Sequence, residues 1–79
     1  MTTPYQSAST RLFQESAEQL ALDLEREGSE TAAVLAREAR DLASRFRTWT
    51  QKRPSDDERV ATLQRLFDLN RRASDYLAA

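Results

Sequence analysis

The side chains of this chain that could take part in chemistry are almost entirely carboxylates and guanidinium groups. The sequence has 13 Asp and Glu residues and 12 Lys and Arg residues, but no His and no Cys. An imidazole base, a thiolate nucleophile and a disulfide are therefore excluded, and so are the His and Cys ligands of most zinc sites. One glycine is too few for a loop that cradles phosphates. We therefore expect that the chain is not an enzyme and that it binds neither a cofactor nor a metal ion.

Charge is distributed unevenly along the chain. Residues 15–30 contain six acids and one base, whereas residues 37–53 contain six bases and two acids. If two neighbouring antiparallel helices carry these two segments, salt bridges along their edges account for the pattern. We favour this structural interpretation.

The basic segment 45–53 also has a functional interpretation. Its cations surround an aromatic residue and could form a nucleic-acid-binding patch: Arg45, Arg47, Lys52 and Arg53, with Trp49 among them. Such a patch predicts an affinity that falls steeply as the salt concentration rises. Because Trp49 also fits an apolar helix stripe, nucleic-acid binding is the alternative and not the expected function.

The elements that carry these residues are predicted to be helices, because apolar residues recur at intervals of three and four. The first helix is expected over about 6–27, with Ser7 or Ser9 as its N-cap. The residues of its apolar stripe are Phe13, Ala17, Leu20 and Leu24.

The second helix is expected over about 30–52. Gly28 suits the left-handed residue that closes the first helix, and Ser29 suits the N-cap of the second. A connection this short predicts an antiparallel hairpin. The apolar stripe comprises Ala32, Leu35, Ala39, Leu42, Phe46 and Trp49, and the flanking Ala36 and Ala43 would allow a neighbouring helix to approach closely.

The third helix is expected over about 56–77, because Pro54 ends the second helix and Ser55 and Glu58 have the spacing of a capping box. Its predicted core stripe comprises Val60, Leu63, Leu66, Phe67, Asn70, Ala73 and Leu77. Within that stripe, Asn70 could determine register or oligomeric state, as a buried Asn does in coiled coils.

Three helices of similar length predict an all-α fold, an antiparallel three-helix bundle that forms a single domain over residues 1–79. A chain this short buries a small core, so association with a second copy or another protein could add stability. Tetratricopeptide repeats are also helical hairpins, but their characteristic spacing of Trp, Leu-Gly and Tyr is absent from this sequence. The acidic start of the third helix also argues against a DNA recognition helix.

The third helix carries our candidate functional surface. Leu69 and Tyr76 are seven residues apart on the face opposite Val60 and Phe67, so we expect both to be exposed. Arg65 and Arg72 flank this stripe. Leucine, tyrosine and arginine together are typical of a protein-binding hot spot. The expected function is therefore that of a small protein-protein interaction module: an adaptor, chaperone or inhibitor, of bacterial or phage origin.

A homodimer is compatible with this prediction, and a self-assembling structural protein is a further alternative. The net charge of −1 does not indicate a nucleic-acid partner. No apolar run approaches the roughly 20 residues that span a bilayer, so we expect no membrane contact and a cytoplasmic location.

Overall fold

The structure, a computed structural model, describes residues 8–78, with side chains described from Thr10 onward. It contains three helices, α1 (Ala8–Glu27), α2 (Glu30–Thr48) and α3 (Asp56–Ala78), and residues 8–78 contain no strand. Helix α1 packs closely along α2, and α3 packs mainly on α2. The predicted all-α three-helix fold is confirmed. Ser9, one of the two predicted N-caps, lies inside α1 and is therefore not its N-cap, and Ser7 lies outside the described residues.

The turn between α1 and α2 follows the sequence prediction. Gly28 has a φ of 72°, the left-handed conformation that favours glycine at a helix end. The Ser29 hydroxyl accepts a hydrogen bond of 3.1 Å from the backbone N–H of Ala32 and so caps α2. An added Cβ at Gly28 would meet no atom within 4 Å, so the requirement for glycine is conformational and not steric.

Helices α1 and α2 pack through a face rich in alanine. The buried apolar residues of the two helices are Ala17, Ala21 and Leu24 of α1 and Ala32, Leu35, Ala36, Ala39, Leu42, Ala43 and Phe46 of α2. Phe13 and Leu20 are half-buried against the same core. The predicted stripes of the first two helices are therefore confirmed, and small side chains explain how the two helices can approach closely.

Two ion pairs join the edges of this hairpin. The Arg40 guanidinium donates two hydrogen bonds to the Glu25 carboxylate, of 3.1 and 2.7 Å, and Arg47 lies 3.8 Å from Glu18. Both pairs connect the acidic segment of α1 with the basic segment of α2. The structural interpretation of the charge pattern is confirmed.

Helix α2 ends earlier than predicted, at Thr48 and not near residue 52. The backbone N–H groups of Trp49 and Thr50 donate to the carbonyls three residues earlier, each at 3.2 Å. Lys52 donates to the carbonyl of Thr48 at 3.0 Å. The helix tightens in its last turn, which pairs the terminal carbonyls before Pro54 interrupts the pattern.

Helix α3 begins as the serine half of the predicted capping box requires. The Ser55 hydroxyl accepts a hydrogen bond of 3.1 Å from the backbone N–H of Glu58. The Glu58 carboxylate accepts the indole N–H of Trp49 at 3.3 Å, which joins the start of α3 to the end of α2.

The orientation of α3 differs from the sequence prediction. Val60, Phe67 and Leu77, predicted to be core residues, are exposed, whereas Leu69 is completely buried. Leu66 and Ala73 are buried as predicted, and Leu63 and Asn70 are half-buried. The predicted stripe was therefore wrong for the three exposed residues.

Candidate protein-binding face

Helix α3 carries two apolar stripes, each with alternating spacings of three and four residues. The stripe that packs toward the core comprises Thr62, Leu66, Leu69, Ala73 and Tyr76, and we call it the inner α3 seam. The other comprises Val60, Leu63, Phe67, Asn70, Ser74 and Leu77, and we call it the outer α3 seam. Either spacing suits packing against another helix, so periodicity alone does not distinguish them.

The outer α3 seam exposes large apolar side chains. The exposed fractions are 51% for Val60, 59% for Phe67 and 41% for Leu77. Leu63 is half-buried and extends the apolar strip toward the core. An exposed phenylalanine presents a large apolar surface to water, and exposed apolar side chains aligned along one side of a helix are typical of an interaction surface.

The predicted contact residues Leu69 and Tyr76 belong to the inner α3 seam. Leu69 has no exposed surface, and Tyr76 is half-buried with its hydroxyl hydrogen-bonded to the Ser29 hydroxyl at the hairpin turn. The prediction that these two side chains form an exposed surface is therefore wrong. Their packing holds α3 on α2, so a partner cannot reach Leu69 without displacing the helix.

The predicted contact residues Arg65 and Arg72 remain exposed but form ion pairs with α2. Arg72 donates to Glu38 at 2.7 Å and also contacts Asp68 at 2.9 Å, and Arg65 lies 3.6 Å from Asp41. The hydrogen bond with Glu38 raises the pKa of the Arg72 guanidinium. These pairs lie along one edge of the inner α3 seam and join α3 to α2 on that side.

Burial of one threonine explains how the inner α3 seam tolerates polar groups. The Thr62 hydroxyl donates a hydrogen bond of 2.7 Å to the backbone carbonyl of Glu58, so its burial leaves no unpaired donor. Both stripes of α3 are visible in the sequence, but the prediction assigned the wrong one to the core. Glu38 and Asp41 of α2 lie opposite Arg72 and Arg65, and this charge pattern is the sequence signal that favours the inner seam.

The basic segment 45–53 does not present an aromatic surface. Trp49 is only 2% exposed and packs edge-on against Phe46, with ring centroids 5.0 Å apart. Arg45 pairs with Asp41 at 3.1 Å, and Arg47 pairs with Glu18. The stacking platform on which the nucleic-acid hypothesis depended is therefore part of the core.

Lys52 and Arg53, the other two cations of that hypothesis, lie in the exposed connection after α2. No aromatic residue of this connection remains available for base stacking, because its only one, Trp49, is buried. Nucleic-acid binding stays an untested prediction, with less support than its sequence pattern provided.

A shallow pocket of about 320 Å³ lies beside the α1–α2 turn. Its lining includes Leu24, Gly28, Ser29, Ala36, Arg37 and Arg40. The Arg40 guanidinium is already held by Glu25, whose pKa it lowers through their hydrogen bonds. The described part of the chain contains no group of three potential metal ligands. The pocket offers no reactive centre, so the outer α3 seam is the stronger candidate site.

The other exposed large apolar residues stand apart from this seam. They are Leu12 and Leu22 of α1 and Val34 of α2, which lie on other helices than the seam. Single exposed apolar residues are common on protein surfaces and need no functional explanation. They serve as matched controls for variants of the outer α3 seam.

Within residues 8–78, no helix is both long enough and apolar enough to cross a membrane. Comparison with known proteins adds no functional information: no protein-family model, curated protein or solved structure matches this chain.

Proposed function

We propose that this chain is a protein-protein interaction module that binds its partner through the outer α3 seam. The observation that carries the proposal is the exposure of Val60, Phe67 and Leu77 on one side of a helix whose opposite side is already packed. An adaptor, chaperone or inhibitor would act through such a surface, because each of these functions depends on binding another protein.

The composition of the seam supports this proposal. Phe67 lies near its middle, where apolar and aromatic residues contribute most to an interface. The polar rim is formed by neighbouring side chains that remain exposed, including Gln64 and Arg71. A central apolar group with a polar rim is the usual arrangement of residues at a protein interface.

The shape of the seam supports a helical segment as the partner's contribution. Its six positions repeat with the spacing that inserts side chains between those of a facing helix.

A cytoplasmic location, expected from the sequence, is part of this proposal, and so is a bacterial or phage origin.

Co-purification from the cells that produce this protein tests the proposal. We would compare the tagged wild-type chain with Phe67→Ser and Val60→Ser, and use Val34→Ser as the control. Val34 and Val60 are matched in residue type and exposure, at 53% and 51%. We expect a protein that is recovered with the wild type and the control but lost with both seam variants.

Either of two results would contradict the proposal. One is recovery of the same proteins with all four chains, and the other is recovery of none with the wild type. Circular dichroism of each purified variant would verify that the helices are retained, which the exposure of both valines leads us to expect.

A further inference from the structure

We infer that the outer α3 seam binds the same seam of a second copy of this chain, with the two α3 helices antiparallel about a two-fold axis. This inference rests on the proposed function, because it names the partner of the surface proposed there. It commits to a homodimer whose contact surface is self-complementary.

The spacing of the seam makes self-pairing possible. Its six positions are separated by three, four, three, four and three residues, a series that is the same from either end. A two-fold axis midway between Phe67 and Asn70 places Phe67 opposite Asn70 of the second copy. The same axis places Val60 opposite Leu77 and Leu63 opposite Ser74. Every position has a counterpart, as a two-fold interface requires.

Asn70 gives this axis a specific location. In the proposed dimer the two Asn70 residues are three positions apart along the helix direction, which is about 4.5 Å at 1.5 Å per residue. Each amide can both donate and accept, so the two side chains can hydrogen-bond to each other across the axis. A register shifted by seven residues would place the two Asn70 residues four or ten positions apart, about 6 or 15 Å along the helix direction, so the proposed register brings the two amides closest together.

Charge selects the antiparallel orientation. The first turn of α3 contains three acids, Asp56, Asp57 and Glu58. A parallel pair would place these acids beside the same three acids. The antiparallel pair separates the acidic turns by the length of the helix and places Arg71 near Gln64 of the second copy. The three acids of the two copies therefore remain apart in the antiparallel pair only.

The size of the seam predicts a weak dimer. With 23 residues, α3 is about 34 Å long and roughly 10 Å wide, so one helix stripe falls below the roughly 800 Å² per partner of a standard interface. We therefore expect association that is weak and depends strongly on concentration.

Sedimentation equilibrium of the full chain tests for the dimer. We expect the wild type to shift from monomer to dimer between about 1 µM and 0.5 mM. Phe67→Asp should weaken association at least about tenfold, because it places two carboxylates in the seam. Val34→Asp introduces the same charge at a position of similar exposure on α2 and should leave association unchanged.

Disulfide trapping tests the orientation, and the absence of cysteine makes it unambiguous. Under mild oxidation, a mixture of Val60→Cys and Leu77→Cys chains should form the mixed disulfide. Neither chain alone should form its own disulfide to a comparable extent, because in the antiparallel pair identical end positions lie far apart. A parallel pair would instead trap Val60→Cys with itself.

The inference is overturned if the wild type stays monomeric up to about 0.5 mM, if Phe67→Asp associates as well as Val34→Asp, or if the trapped species is parallel. A monomeric wild type would not overturn the proposed function, because co-purification distinguishes a homodimer from a complex with a different protein. A differently tagged second copy among the recovered proteins reports the homodimer. Loss of a different protein with both seam variants would support the proposed function without a homodimer.

Discussion

The α1–α2 hairpin and helix α3 use their apolar surfaces differently. In the hairpin, the regular stripe of each helix packs into the core, and the exposed large apolar side chains, Leu12, Leu22 and Val34, lie outside those stripes. In α3, one regular stripe packs on α2, while a second, equally regular stripe leaves Val60, Phe67 and Leu77 exposed. A helix with one stripe has its orientation determined by its own sequence, whereas a helix with two stripes needs its neighbours to determine which side faces inward.

Among the variants that test this comparison, replacing Leu69 should cause the largest loss of stability. Leu69→Ala leaves a cavity in the inner α3 seam and should reduce the free energy of unfolding by about 2 to 5 kcal/mol. Phe67→Ala, on the outer seam, should change it by no more than about 0.5 kcal/mol at concentrations where the chain is monomeric. Urea unfolding followed by circular dichroism measures both. Equal losses would mean that Phe67 is part of the core.

The hairpin should tolerate added volume poorly. Ala21 has no exposed surface, so Ala21→Leu should reduce the free energy of unfolding by about 1 to 3 kcal/mol, because the added atoms displace packed neighbours. Ala61 is exposed on α3, and Ala61→Leu serves as the control with little expected change. The same urea measurement compares the two, and a neutral Ala21→Leu would indicate loose packing between α1 and α2.

A smaller effect is expected where α3 meets the hairpin turn. Tyr76→Phe removes the hydroxyl that hydrogen-bonds to Ser29 but keeps the ring, so it should reduce stability by about 0.5 to 1.5 kcal/mol. Hydrogen exchange should become faster in the last turns of α3 before it does in α2. Unchanged exchange there would show that the ring alone holds this end of α3.

The smallest effect should come from the exposed ion pair at the edge of the hairpin. The hydrogen bonds from Arg40 lower the pKa of Glu25 in the folded chain, so the stability from this pair is present above the ordinary glutamate pKa. It is lost as the pH falls below about 4.3 and through the lowered pKa. Arg40→Gln should therefore be less stable than the wild type at pH 7, and the difference should shrink at pH 3.

Unfolding at both pH values measures this difference. Arg37 lies on the same helix but forms no ion pair with the described residues. Arg37→Gln removes the same charge and therefore provides the control. A pH-independent deficit in Arg40→Gln would indicate that the side chain contributes by packing and not through Glu25.

Sequence patterns predicted the parts of this fold that depend on local interactions. The left-handed Gly28, the Ser29 cap and the stripe of α2 involve residues close together in the chain. The early end of α2 was missed, because apolar periodicity continues through Trp49 although the backbone has already tightened.

The candidate site could be predicted only in part. The sequence identified α3 as the helix with apolar residues on two sides, and the exposed and buried sides were then interchanged. Arg65 and Arg72 were correctly expected to be exposed, but their partners on α2 were not anticipated. Residues that meet across different helices leave no signal in the spacing of either helix alone.

By itself, the sequence determined the three helices, the hairpin turn and the apolar faces, because capping and periodicity act within a few residues of the chain. Tertiary structure decided which α3 seam faces inward. Leu66, Leu69 and Ala73 of the inner seam are buried in the core, and beside them α3 contacts Asp41 and Glu38 through ion pairs and Ser29 through Tyr76. These contacts exist only after folding brings distant residues together, so no local pattern could have determined the seam that remains exposed.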